Sequence, residues 1–347
     1  MLLQKLVLQN FRNRDADVFE LSPHLTIFLG ENARGKTNLL EAIYFLINGV
    51  GFRESREEEL LQIGKNEAYV EGRFKIGHGH QDFKIHIAKK AGIVEKVYFL
   101  ERSRRRHAQY MEDQTKAILF APEHIEIING SPDIRRNYFN KVISFYDLEY
   151  KKKLINLESA LRRRNKIFER VHDDHKLHEE LSFWNTYIEE QANYITKKRN
   201  EYVNYLNNHR KLDHKEFQIV YMKNTATIAR FKEVFEEEKR WRRTIIGPQK
   251  DEFQIIIKGA VPKNVHHYGS RSEQRFAVFW LKMNEITYHE DIYHKKPILL
   301  LDDIFSEFDQ QNKQLILELI KKYQTVLTTT ENELVEHIDI PKVVIEV

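Results

Sequence analysis

Eight consecutive residues, Gly30, Glu31, Asn32, Ala33, Arg34, Gly35, Lys36 and Thr37, have the types and spacing to hold a chain of phosphates. The glycines let backbone N–H groups curl round an anion, the lysine sits against β- and γ-phosphates, and the hydroxyl beside it reaches Mg2+. Asn38 carries the loop into a following helix, whose partly positive N-terminus points at the same anion. Far along the chain, PILLLDD (Pro297 to Asp303) reads as a buried strand ending in two acids. Asp302 suits the metal, and Asp303 suits orienting or deprotonating an attacking water. Each motif is common alone. Together they point to a nucleoside triphosphatase site using Mg2+.

Those residues need a scaffold, and 347 residues suffice for a sizeable core in one large domain or two. The composition, 41% hydrophobic, 31% charged and 12% aromatic, is that of a soluble globular chain rather than a disordered one. Cysteine is absent, which excludes disulfides and thiolate metal sites and fits a reducing cytosol. The opening MLLQKLVLQNF alternates like a strand, unlike a signal peptide, and no run approaches the roughly 18 apolar residues of a membrane span. A cytoplasmic protein without a membrane segment is expected. A net charge of +4 is too small to mark a nucleic-acid binder, so the positions of the charges must carry any such case.

The elements that position the motifs follow from periodicity. KLVLQNF, HLTIFLG, YVEGRFKI and DFKIHIA read as strands, with a helix from Lys36 to Ile47. From Asp147 to His214, charged residues alternate with Leu, Ile, Phe and Tyr at helical spacing, which predicts a helical block, an antiparallel pair broken near HDDHKLH. After Trp241 the alternation of strand and helix returns, with RTIIG and EFQIIIKG as strands, a helix near EQRFAVFWLKMNEI, the PILLLDD strand, and a closing helix and strand. The expected fold is α/β, with a head formed by residues 1–115 and 241–347 and a mainly helical lobe inserted at 116–240.

Candidate DNA contacts are basic clusters: Arg102 with Arg104, Arg105 and Arg106; Arg162, Arg163 and Arg164 with Lys166; TKKRNEY; and KRWRRT. Arg and Lys pair with phosphate oxygens without reading sequence. The first two clusters are favoured, against the alternative that each is a solvated face balanced by nearby acids. His172, Asp173, Asp174, His175 and His178 invite a metal-site reading, but solvated residues at a helix connection are the better expectation. Phe183, Trp184 and Tyr187 could stack on bases; their helical spacing makes core packing the default.

The order of motifs resembles the ABC-type ATPase heads of the SMC superfamily, and within it the RecF family. LVLQNFRNR, GENARGKTNLLEAIYFL, FRESREEEL, FAPEHIEIINGSPDIRRNYFN, RTIIGPQKDEF, YGSRSEQR and PILLLDDIFSEFD resemble family segments in the same order and at similar spacing. The likeness is weakest from Asp147 to Lys239. It implies a P-loop head with a mixed sheet and flanking helices, and an ATP-dependent DNA-binding protein of recombinational repair and replication, acting at gaps or single-strand to double-strand junctions with RecO and RecR. It also implies roles for residues: Arg12 near the base or ribose, Gly30 to Asn38 around the phosphates, Thr37 and Asp302 on Mg2+, Asp303 on the water, and Ser270 on the γ-phosphate held by a second protomer. ATP binding and homodimerisation would then be one event, with weak hydrolysis as release.

Three departures stand out. Ser272 and Glu273 occupy positions where the family signature has Gly and Gln, placing a Cβ and a carboxylate where backbone approaches phosphate. Gln249 and Lys250 stand in a segment usually reading Gly-Pro-His-Arg-Asp-Asp, and Thr329 falls where other ABC ATPases have a switch histidine. Slow hydrolysis is the expectation. The competing readings are another SMC-like ATPase, an overcoming-lysogenisation-type nuclease, which needs a carboxylate-rich metal domain for which little sequence follows Asp303, and a transporter ATPase, disfavoured by the inserted lobe.

Overall fold

Apolar runs covered on both faces form the parallel sheet at the centre of the first unit. The computed structural model describes all residues except 54–55, 113–114, 308–309 and 333–337, with backbone alone for 306–307 and 310–312. Parts of FRESREEEL and of IFSEFD, which carries the D-loop expected in the head, therefore lie outside the described residues. Two units separate, Met1–Glu123 with Glu285–Val347, and His124–Asn284.

In the first unit, five parallel strands run in the order Lys342–Glu346, Leu25–Leu29, Thr325–Thr329, Ile298–Asp302, Ala117–Phe120. The strand leading into the phosphate loop is thus separated from the strand ending in Asp302 by Thr325–Thr329, whose Thr328 hydroxyl reaches Asp302 and whose Thr329 carbonyl accepts the Gly30 N–H. A six-stranded antiparallel sheet is built from Arg14–Glu20, Leu2–Phe11, Glu67–Ile76, Gly79–Lys90, Ile93–Leu100 and Ser103–Arg105. The helix Lys36–Asn48 buries ten of its thirteen residues, because its core cluster takes in side chains from both sheets, including Leu6, Val70 and Phe83 on one side and Leu300 and Val326 on the other. Its buried polar members, Lys36, Glu41 and Asn48, each have a hydrogen-bond partner. Gly72 permits the close approach: a Cβ there would stand 2.4 Å from the Leu46 side chain.

The second unit holds the long helical hairpin, Leu148–Arg170 and Asp174–Asn208, broken at Val171–Asp173 as the periodicity predicts. Asp147 and Asp173 cap the two helices by accepting backbone N–H bonds from Tyr150 and Lys176. The unit also contains an antiparallel sheet ordered Lys263–Asn264, Glu252–Lys258, Lys215–Met222, Lys211–Leu212. It differs from the expected lobe at its far boundary: EFQIIIKG and most of the helix Arg271–Tyr293 belong to this unit, because Glu252–Lys258 pairs with Lys215–Met222. RTIIG is not a strand; the chain turns there, with Gly247 at φ 121°. Phe253 seals the sheet by stacking on Phe139 at 3.9 Å and Tyr221 at 4.8 Å between centroids. No helix among the described residues is long and apolar enough to cross a membrane.

Candidate nucleotide site and signature segment

The phosphate loop is shaped by backbone that curls the wrong way for an ordinary chain. Ala33 has φ 65° and Gly35 φ 87°, left-handed conformations that turn successive N–H groups toward one point. Gly30 and Gly35 also leave no room for a side chain: a Cβ would stand 2.5 Å from the Val347 carbonyl oxygen and 2.5 Å from the Asn13 amide nitrogen, respectively. Lys36 is 8% exposed, and its ammonium donates to the carbonyls of Gly30 at 2.7 Å and Glu31 at 2.8 Å. Both acceptors are neutral, so the charge is solvated by the loop without being cancelled. Arg34 projects outward and pairs with Glu31 at 3.4 Å, both exposed, while Asn38 donates to Asn13 at 2.8 Å. Asn32 is exposed at the loop's rim.

Beside the loop, the Thr37 hydroxyl donates to the Asp302 carboxylate at 3.1 Å, and the Thr328 hydroxyl donates to the same oxygen at 2.7 Å. The two motifs read 265 residues apart are therefore in direct contact. Burial holds the Asp302 carboxyl above the usual carboxylate range, opposed by hydrogen bonds from Thr328 and Thr37. A buried carboxylate whose close donors, among the described residues, are two hydroxyls is poised for a cation. Mg2+ keeps most of its waters and needs only one or two protein oxygens, which Thr37 and Asp302 supply. Among the described residues no cluster of three or more His, Asp or Glu could hold a metal, so the HDDHKLH reading falls away. There Asp173 caps a helix, Asp174 pairs with Lys239, and His178 stacks on Phe235 at 3.9 Å.

Asp303 follows at φ 47°, its N–H bonded to Thr328 at the backbone carbonyl and at the hydroxyl. The left-handed turn swings it out of the strand line. Thr329, at the switch position, is buried; its hydroxyl accepts from the Glu331 N–H at 3.1 Å and its carbonyl from Gly30. Arg12 forms a bidentate pair with the fully buried Glu41, at 2.7 and 2.9 Å, fastening the first hairpin to the phosphate-loop helix. Its Nη1 is the guanidinium nitrogen that Glu41 does not engage. Arg14 donates to the Arg34 carbonyl at 2.8 Å. Glu41, Thr328, Asn13 and Arg14 were invisible as site residues in sequence, since only tertiary packing brings them to the loop.

In the second unit, Ser270 caps the helix Arg271–Tyr293. Glu273 reaches back to accept the Ser270 N–H at 2.8 Å, and the Ser270 hydroxyl oxygen accepts the Glu273 N–H at 3.3 Å. This is a reciprocal capping box, at a residue the sequence marks only as a departure from the family signature. Lys263 grips the Glu273 carboxylate at 2.6 and 2.7 Å. Burial alone would raise the Glu273 carboxyl, but the bonds from Lys263 and Ser270 outweigh it and hold it below the usual range. Glu273 thus orders the serine and carries a compensated charge. Ser270, Arg271 and Ser272 are exposed.

The segments SPDIRRNYFN and GPQKDEF, the most distinctive in the sequence, turn out to be one network. Arg135 pairs with Glu252 at 2.7 and 2.8 Å, Arg136 donates to the Asp251 carbonyl at 2.7 Å, and Arg199 pairs with the Asp251 carboxylate. Gln249 turns back onto the Ile246 carbonyl at 2.6 Å. Of the basic clusters, the Arg162–Lys166 run is corrected at Arg164, which is fully buried and bonded to Glu238, Thr244 and Asn185 because its helix turns it into the core; Arg162, Arg163 and Lys166 are exposed. Phe183 is 65% exposed and does not pack in the core, although Trp184 does in part.

A phosphate loop closing a parallel strand, an acid-tipped strand two places away, an antiparallel sheet over the loop helix, and a second unit bearing a helical hairpin and a signature serine define the ABC-type ATPase head. The chain belongs to the RecF/RecN/SMC N-terminal domain family, whose model matches residues 2–346. Within it, the chain is 30% identical to the DNA replication and repair protein RecF of Lysinibacillus sphaericus (strain C3-41), over 97% of this chain and 95% of that one. It is 31% identical to the protein of the same name from Staphylococcus aureus (strain JH9), over 97% and 95%. A solved structure described as the recombination mediator protein RecF-ATPrS in the RecFOR pathway superposes with a TM-score of 0.86 at 26% identity, covering 99% of this chain and 95% of that one.

Proposed function

We propose that this protein is a cytoplasmic ATP-dependent DNA-binding protein of recombinational repair and replication restart, one that dimerises on ATP at gapped or junction DNA and is released by slow hydrolysis. The observation that carries the reading is Lys36, a buried cation whose partners are two neutral carbonyls, beside a hydroxyl and a buried carboxylate that suit Mg2+. A triphosphate replaces those carbonyls with charged oxygens and takes the loop N–H groups as well. Arg12 offers Nη1 to the base or ribose while Glu41 fixes its plane. Thr37 and Asp302 would hold Mg2+, which would supply neutralisation of phosphate charge. Asp303 orients the attacking water and accepts its proton.

Ser270 of one protomer donates its hydroxyl to the γ-phosphate held by the other, its oxygen already fixed by the Glu273 N–H. That contact exists only while the γ-phosphate is present, which makes hydrolysis a release switch. The Glu273 carboxylate competes with phosphate for the Ser270 N–H, in keeping with slow turnover. The RecFOR pathway named for the similar solved structure supports RecO and RecR as partners. The test is retention of gapped duplex DNA with and without ATP. Wild type should bind at least about 10-fold tighter with ATP, and Lys36→Ala should lose that difference because its ATP affinity falls. Equal DNA affinity with and without ATP in the wild type would overturn the reading.

A further inference from the structure

The first unit carries a concave basic surface that the nucleotide chemistry does not use. The hairpin Ile93–Leu100 and Ser103–Arg105 ends the antiparallel sheet, pairing Tyr98 with Arg105 and Phe99 with Arg104. Behind it lies a groove of about 600 Å3 lined by Lys96, Tyr98, Arg104, Arg105, Arg106 and His107 among others. Arg104, Arg105 and Arg106 are exposed, and among the described residues none of the three makes an ion pair. Charge on an edge strand also keeps other strands away, but that role needs neither three consecutive arginines nor a concavity.

The groove floor is fastened to the far end of the phosphate-loop helix. Lys96 donates to the Gly49 carbonyl at 3.4 Å, at the residue that caps Lys36–Asn48, and pairs with Glu57 at 2.6 Å. The His107 ring lies so close to Gly49 that a Cβ there would meet its Nε2 at 2.7 Å. Tyr110, on the helix that follows the arginines, donates to the Leu46 carbonyl at 2.6 Å. The helix that starts at the phosphate loop ends against the wall of the basic groove.

We propose that the Arg104–Arg106 groove is the seat of a nucleic-acid phosphate backbone, placed against the carboxyl end of the helix whose other end holds the nucleotide. The inference rests on the reading of the chain as a DNA-binding ATPase and gives that reading a location. Three guanidinium forks with no carboxylate partner among the described residues suit phosphate oxygens, a contact that carries no sequence information. The Arg162–Lys166 run is the comparison, a basic cluster outside the groove in which Arg164 is buried in an ion pair and Arg162 is exposed beside Glu158.

The experiment is a salt titration of fluorescent duplex DNA of about 30 base pairs, from about 50 to 200 mM, with full-length protein and saturating ATP. Its arms are wild type, Arg104→Gln/Arg105→Gln/Arg106→Gln, and Arg162→Gln/Lys166→Gln. The groove variant should bind on the order of 100-fold more weakly, with a log–log salt slope shallower by about 3, while its ATP affinity without DNA stays that of wild type. The Arg162→Gln/Lys166→Gln variant should keep the slope within about 1. Unchanged DNA affinity in the groove variant, with ATP binding intact, would overturn the groove and leave the ATPase reading standing; a wild type that binds no DNA would sink the reading itself. Displacement of wild type by poly-glutamate as readily as by duplex would assign the groove to acidic proteins and also overturn the proposal.

Discussion

Lys36 and Arg199 are both buried cations, and they stand for two opposite uses of charge. Arg199 is 1% exposed, paired with the Asp251 carboxylate and further bonded to the Pro248 carbonyl, Tyr150 and Asn140. Its charge is cancelled, and each of its three nitrogens donates a hydrogen bond. Lys36 is almost as buried, but among the described residues neutral carbonyls hold it. An uncancelled cation under a ring of N–H groups stores affinity for an anion, whereas a cancelled one stores only structure. Residue type and burial do not separate the two; the partner does.

The largest effect expected from this contrast is at Arg199. Arg199→Met should cost about 3 to 5 kcal/mol, because it strands the Asp251 charge in the core. Urea unfolding reads it, and a loss under about 1 kcal/mol would show that Tyr221 and the Asn224 N–H satisfy Asp251 alone. Lys36→Ala should do the reverse, leaving the urea midpoint nearly in place while ATP affinity falls by at least about 100-fold.

Asp302 sharpens the contrast because its sign changes with ligand. Its folded pKa lies above the unfolded value, so the stability its protonated form contributes is present below the unfolded pKa, near 4, and is lost as pH rises through the folded pKa. At neutral pH, Asp302→Asn should therefore stabilise the nucleotide-free protein, on the order of 1 kcal/mol, and abolish the extra stabilisation by Mg2+ with ATP. Thermal melts with and without Mg2+ and ATP check both halves. A variant that melts lower than wild type without ligand would mean the carboxylate is structural, like Asp251.

The smallest effect concerns Ser272. It is exposed within the first turn of a helix whose cap is already closed by Glu273, so removing its Cβ touches only the approach of a partner's phosphate. Ser272→Gly, in an Asp303→Asn background, should tighten the ATP-dependent dimer by about 1 kcal/mol. A weaker dimer by sedimentation would make the Ser272 hydroxyl a phosphate ligand.

What could be read from the sequence follows the same division. The phosphate loop, its flanking strand and helix, and the Asp302 strand were legible because local backbone rules and an apolar run specify them. The helical hairpin was legible from period alone, down to its break. The fate of arginine runs was not: Arg104 and Arg164 look alike in sequence, and only the rotation of one helix sends Arg164 into contact with Glu238. The far boundary of the second unit was missed because pairing of Glu252–Lys258 with Lys215–Met222 is a long-range choice that neither strand announces. Glu273 looked like a defect until its partners, Ser270 and Lys263, were seen.

The most direct test is the mass of the Asp303→Asn protein in saturating ATP and Mg2+ by light scattering. Asn is the conservative choice, since Asp303 sits at φ 47° and asparagine tolerates that conformation. If ATP is held between two copies and Asp303 handles the water, this variant binds ATP, does not turn it over, and scatters as a dimer that returns to monomer when ATP is removed. A monomer at every ATP concentration that saturates binding would contradict the account.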